Sequence, residues 1–180
     1  MVENFKLACF ELTLEAKEPL FLPPYKGSTL RGGFGHAFKK VACALREKEC
    51  GECLLKSKCV YAYVFETPPP EDTQILRKYP AAPHPLLIEP PLDNRRSYQT
   101  GEALVFNLVL IGRALDYLPY FIYAFNELGR IGIGKGRGKY QLRDVRAESR
   151  DRRGEGGEGG NEGSVYTYDR QMREPILPCC

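Results

Sequence analysis

Glycine occupies every second position from 132 to 138, in the run Gly132-Ile133-Gly134-Lys135-Gly136-Arg137-Gly138-Lys139. Four missing side chains let another group approach the main chain closely. Lys135, Arg137 and Lys139 add positive charge, and the combination suits a polyanion laid along the backbone, with RNA the first candidate. The flanks constrain the fold further. An apolar run of helical character ends near Gly129, and a strand-like run covers residues 140–146. The dinucleotide-binding fingerprint runs strand, glycine loop, helix, with the phosphate on the helix N-terminus. The order here is helix, loop, strand, which excludes that fold. The competing reading of the same residues is a flexible hairpin-like turn whose lysines are incidental.

Periodicity orders the rest of the chain. Residues 5–16 partly alternate and carry β-type side chains, which predicts a strand. Pro19, Pro23 and Pro24 end it. Ser28 is placed to cap a helix over residues 28–47. Leu30, Phe34, Ala37, Phe38, Val41 and Leu45 form its apolar face. Residues 60–66 (VYAYVFE) read as a short strand and residues 86–89 as another inside a proline-rich stretch. Residues 103–111 (ALVFNLVLI) read as a buried strand. Asp116 is placed to cap a second helix reaching about residue 128, with Pro119 tolerated in its first turn. Leu115, Leu118, Phe121, Ile122, Phe125 and Leu128 give it one apolar face, and Tyr117, Tyr120 and Tyr123 occupy others. An aromatic helix of this kind packs against a second domain or offers faces for base stacking.

The resulting order is β-α-β-β-α-β, with cysteine-rich material inserted after the first helix. It specifies an α+β, ferredoxin-like domain over residues 1–146: an antiparallel sheet with two helices on one face. Residues 147–163 are charged and glycine-rich and read as a flexible linker. Residues 164–180 restart strand-like, as the opening of a C-terminal domain that the chain is expected to lack.

Composition narrows the class. The 180 residues are 43% hydrophobic and 27% charged, a globular composition. A net charge of +3 is modest, but residues 131–146 hold five basic residues against one acid, Asp144. Local density governs phosphate contact more than the total does. No signal peptide and no membrane-length apolar run are visible, so a cytoplasmic protein without membrane contact is expected. In that compartment the seven cysteines read as metal ligands or free thiols rather than disulfides. Cys43, Cys50, Cys53 and Cys59 are spaced C-x6-C-x2-C-x5-C. The Cys50–Cys53 knuckle lets two thiolates reach one ion, and four thiolates suit structural zinc or an iron–sulfur cluster. The alternative is four free thiols near the surface. Cys9 reads as a core residue, and Cys179 and Cys180 carry no reading.

Only two histidines are present, and His84, between two prolines, reads as structural or incidental. His36 lies nearly opposite the apolar face of the first helix, with Lys39, Lys40 and Cys43 on the same outward side. It is a candidate general acid or base on RNA, with lysines to stabilise charge on phosphate. A solvated surface histidine, or one that joins Cys43 at a metal, are the alternatives. Tyr25 and Lys26 are further candidates for that site. No carboxylate cluster suggests a two-metal nuclease, so any cleavage would use the 2′-hydroxyl of RNA and no catalytic cofactor.

The stretches LEAKEPLFLPPYKGSTLRGGFGHAFKK, CVYAYVFETPPP, PHPLLIEPP and LIGRALDYLPYFIYAFNELGRIGIGKGRGKYQL together resemble the N-terminal half of CRISPR-associated precursor-crRNA-processing endoribonucleases of the RAMP superfamily. The resemblance covers residues 5 to about 146. It implies tandem ferredoxin-like domains, CRISPR repeat RNA as partner and metal-independent cleavage leaving 2′,3′-cyclic phosphate and 5′-hydroxyl ends. It assigns His36 as acid or base, with Tyr25, Lys39 and Lys40 as helpers, and Gly132 to Lys139 as RNA-binding. The second reading is a non-catalytic RNA-binding subunit working with other CRISPR effector subunits. A homodimer is compatible with either.

Overall fold

Strand β1 (Leu7–Ala16) runs through the middle of an antiparallel sheet because its even-numbered residues are apolar enough to bury. Phe10, Leu12, Leu14 and Ala16 all face the core. The computed structural model describes residues 6–45, 50–67, 82–148, 164–168 and 175–176. After β1 come a two-residue strand, β2 (Leu20–Phe21), and helix α1 (Gly27–Ala42). Then follow β3 (Leu86–Glu89), β4 (Ser97–Tyr98), β5 (Ala103–Ile111), helix α2 (Leu118–Ile131), β6 (Tyr140–Glu148), β7 (Ser164–Tyr168) and β8 (Pro175–Ile176).

The main sheet has the order β3-β5-β1-β6-β7-β8, and β2 pairs with β4 in a small second sheet. β1 is antiparallel to β5, with Leu12 opposite Phe106, and to β6, with Leu12 opposite Val145. β3 is antiparallel to β5. The strands β1, β3, β5 and β6 with the two helices make the β-α-β-β-α-β arrangement, and the fold is ferredoxin-like. α1 and α2 lie on one face through an aromatic core, with Phe34 stacked on Phe125 at 4.5 Å and Phe38 against Phe121 at 5.0 Å. The Tyr140 hydroxyl donates to the Phe125 carbonyl at 2.8 Å and ties β6 to α2. Among the described residues no helix is long and apolar enough to cross a membrane.

Several local expectations change. Residues 60–66 are not a strand: Ala62–Glu66 is a π-helical turn. Its aromatic spacing serves a helix, since Tyr61 stacks on Phe65 four residues on at 5.2 Å and Phe65 packs against Phe34 and Phe38. β3 takes the second-strand position instead. α1 begins one residue before Ser28, which therefore lies inside the helix and caps nothing; Lys26 is the N-cap residue. It ends at Ala42, so Leu45 lies beyond the helix and is exposed. Asp116 does not cap α2 either, because a 3-10 turn, Gly112–Tyr117, leads directly into it. Cys9 is buried. His84 is exposed, with its Nδ1 3.3 Å from Thr67 Oγ1. Residues 164–168 and 175–176, expected to open another domain, sit at the edge of this sheet as β7 and β8. The proline-rich residues 68–81, the linker residues 149–163 and Cys179 and Cys180 lie outside the described residues.

Candidate nucleic-acid interface

The glycine loop is a built frame. The Ile133 N–H donates to the Gly138 carbonyl at 3.0 Å, and the Arg137 N–H donates to the Gly134 carbonyl at 3.2 Å, so the loop closes on itself. The Lys135 N–H donates to the Phe21 carbonyl at 2.9 Å, and the Lys17 and Glu18 N–H groups donate to the Lys139 carbonyl at 2.9 and 3.1 Å. The loop is thereby laid against residues 17–22. On their far side, the Leu22 N–H donates to the Arg96 carbonyl at 2.8 Å. Three chain segments remote in sequence become one platform.

The glycines make this possible. A Cβ on Gly132 would run into the Arg137 carbonyl, one on Gly134 into the Phe21 carbonyl, and one on Gly138 into the Pro19 carbonyl. These three positions serve approach by the protein's own backbone. Gly136, at φ +85°, faces open space. Arg137 itself adopts φ +52°, in the left-handed region that non-glycine residues seldom occupy. Lys135, Arg137 and Lys139 are all exposed. Lys139 is 3.7 Å from Glu18, while Lys135 and Arg137 have no ion-pair partner among the described residues.

Beside the loop lies a cleft of about 650 Å³ lined by Phe21, Leu22, Pro23, Thr29, Arg96, Gly134 and Lys135. Phe21 is 51% exposed there. An exposed ring between two cations presents a stacking face next to groups that pair with phosphate. Thr29 brings the first turn of α1, the positive end of the helix dipole, to the same cleft. Phe21, Thr29 and Arg96 were not singled out in the sequence. The Arg95-Arg96 pair was the available signal, but only the pairing of β2 with β4 places it near the glycine loop.

The candidate catalytic residues are not gathered into one site. His36 is exposed in the middle of α1. Thr29, Gly33, His36 and Lys40 follow at helical spacing and form one stripe, which lies toward α2 and the loop. Gly33 packs on Leu128 and Ile133, and Lys40 pairs with Glu127. His36 therefore stands about 10 Å along the helix from Thr29. Lys39 leans the other way, its Nζ 5.5 Å from the Tyr61 ring centroid. Tyr25 precedes the helix, whose first residue, Gly27, is already about 14 Å along the axis from His36. It borders a different cleft, of about 680 Å³, with Glu11, Glu89, Val105 and Asn107, residues of the sheet face turned away from the helices. Lys26 is fully buried, its Nζ donating to Asp93 Oδ1 at 2.7 Å and to the Asp93 carbonyl at 3.0 Å. It secures the entry to α1 and is closed to substrate.

The cysteines lie elsewhere, past the C-terminal end of α1. Cys43, Cys50, Cys53 and Cys59 are half-buried free thiols. Burial pushes the Cys50 thiol up; Lys39 opposes the shift, and Glu66, Cys43 and Cys59 add to it. Among the described residues no three ligating side chains already converge on one point.

The family AF_1859_N, described as an N-terminal domain, matches residues 5–174. An uncharacterized protein of Archaeoglobus fulgidus is 30% identical over 122 residues, 67% of this chain. The match takes in 39% of that relative, so the chain spans well under half its length. In solved structures, a chain of the Csm3-Csm4 subcomplex in the type III-A CRISPR-Cas interference complex aligns with a TM-score of 0.49 at 17% identity, over 81% of this chain and 80% of that one.

Proposed function

The chain belongs to the AF_1859_N family of N-terminal domains, and we propose that it is a RAMP-type RNA-binding domain that holds CRISPR repeat RNA. The observation that carries this reading is the loop at residues 132–139. Its backbone is pinned by hydrogen bonds to residues 17–22, so Lys135, Arg137 and Lys139 are displayed outward from a rigid frame. Phe21 and Arg96 stand beside them in the adjoining cleft. The repeat RNA as ligand, and other CRISPR effector subunits as protein partners, come from the resemblance over residues 5 to about 146. The test is fluorescence anisotropy with the repeat RNA across a salt series. Lys135→Ala, Arg137→Ala and Lys139→Ala combined should weaken binding and reduce the log–log salt slope by about 2, at roughly 0.7 per phosphate contact on a single strand. Unchanged affinity and slope would remove the loop from the interface.

A second reading adds cleavage. It is favoured by His36, exposed on the α1 stripe that begins at the cleft with Thr29. In this reading His36 moves a proton as the RNA 2′-hydroxyl attacks the adjacent phosphate. Cleavage in excess EDTA that is lost both with His36→Ala and with a 2′-deoxy substitution at the cut site is the expected result. Tight binding without cleavage leaves the binding domain alone.

A further inference from the structure

The segment from Cys50 to Cys59 poses a physical problem. Two 3-10 turns, Cys50–Glu52 and Lys56–Lys58, give it a defined path, yet neither buries a single residue. Leu54 and Leu55 point to solvent, Leu54 at 87% exposure. A segment this short, with no apolar core, lacks the burial that holds short chain in tight turns and needs a staple. Each of its ends carries a cysteine, a third, Cys53, sits at the close of the first turn, and a fourth, Cys43, is the C-cap residue of α1 and, with Cys59, an electrostatic neighbour of Cys50. The Cys53 N–H lies 3.4 Å from the Cys50 carbonyl, which folds the two-residue gap into a knuckle. The Cys59 carbonyl accepts from the Tyr63 N–H at 3.0 Å and leads straight into the turn that packs on α1. No disulfide links any of these cysteines.

We infer that Cys43, Cys50, Cys53 and Cys59 bind one structural zinc ion, which clamps this segment to the end of α1. The sulfurs do not yet converge, so binding draws them together, releases the thiol protons and orders the segment in one event. A single ion with Zn–S bonds of about 2.3 Å fits a ten-residue knuckle. An iron–sulfur cluster needs wider-set sulfurs and an enclosing shell, and two turns that bury no residue fully supply little of one. Four thiolates around a divalent ion leave a net charge of about −2, for which the cationic neighbours Lys39, Lys56 and Lys58 compensate. The inference is independent of the RNA reading.

The experiment is elemental analysis of the purified chain, free of any histidine tag, with cobalt substitution alongside. One zinc per chain is expected, absent from Cys50→Ser/Cys53→Ser and kept in Cys179→Ser/Cys180→Ser. The cobalt form should show thiolate charge-transfer bands and intense tetrahedral ligand-field bands. Four thiols that react with a thiol reagent equally fast with and without chelator would overturn the inference. So would iron and sulfide in equal amounts, or zinc that the terminal pair removes. The wild-type cobalt spectrum keeps the test decisive if the knuckle variant fails to fold.

Discussion

At the residue scale, the glycines of the basic loop do different jobs although they look alike in sequence. Gly132 has φ +88° and its missing Cβ makes room for the Arg137 carbonyl. Gly136 has φ +85° with open space around it. Gly136→Ala therefore meets only the left-handed backbone penalty, about 1 kcal/mol. Gly132→Ala meets that penalty and a backbone collision, about 3 kcal/mol or more. Urea denaturation of the two variants checks the contrast, and equal losses would mean that the loop is not folded on itself. Cation placement was legible in the sequence; which glycines face solvent was not, because it depends on the carbonyls of Pro19 and Phe21, more than a hundred residues away.

At the element scale, Glu15 joins two strands of the sheet. Burial alone would raise its pKa. Hydrogen bonds and charge from Lys17 and Arg143 overcome that and bring it to about 2 from 4.5. Arg143 sits on β6 and Glu15 on β1, so the pair bridges neighbouring strands at the bulge between Thr13 and Leu14. The folded pKa is below the unfolded one, so the stabilisation is complete above about pH 4.5 and is lost as the pH falls toward 2. Glu15→Gln should lower stability at pH 7 by on the order of 1–2 kcal/mol, allowing for solvent screening. It should also flatten the acid limb of the stability curve between those pH values. A parallel curve at every pH would show that the carboxylate does not titrate with folding. The strands in this region were readable from alternation; the turn at Ala62–Glu66 was not, since aromatic and β-branched residues fit a strand or a helical turn equally and packing on Phe34 and Phe38 decided it.

At the scale of the whole molecule, the two sides differ in how far their charges are compensated. The sheet face turned from the helices sets Glu15 against Lys17 and Arg143 and Glu11 opposite Arg146, beside exposed Leu87 and Val105. The glycine loop, Arg96 and the start of α1 form a basic side. A net charge of +3 does not reveal that the uncompensated cations gather there. RNA should engage the basic side, so Leu87→Ser/Val105→Ser should leave repeat-RNA affinity within about twofold, as expected for residues outside a phosphate-contacting surface. A large loss in the same anisotropy assay would move the interface onto the open sheet face.

By itself, the sequence determined the ferredoxin-like class, the first and central strands, the two helices and the basic glycine loop, because hydrophobic period, glycine spacing and charge are local quantities. Only the tertiary structure decided that Phe21, Thr29 and Arg96 join that loop in one cleft, that Tyr25 lies far from His36, and that Lys26 is buried against Asp93. The physical reason is that a site is made by strand pairing and helix docking between distant segments, and neither leaves a signature in the spacing of nearby residues.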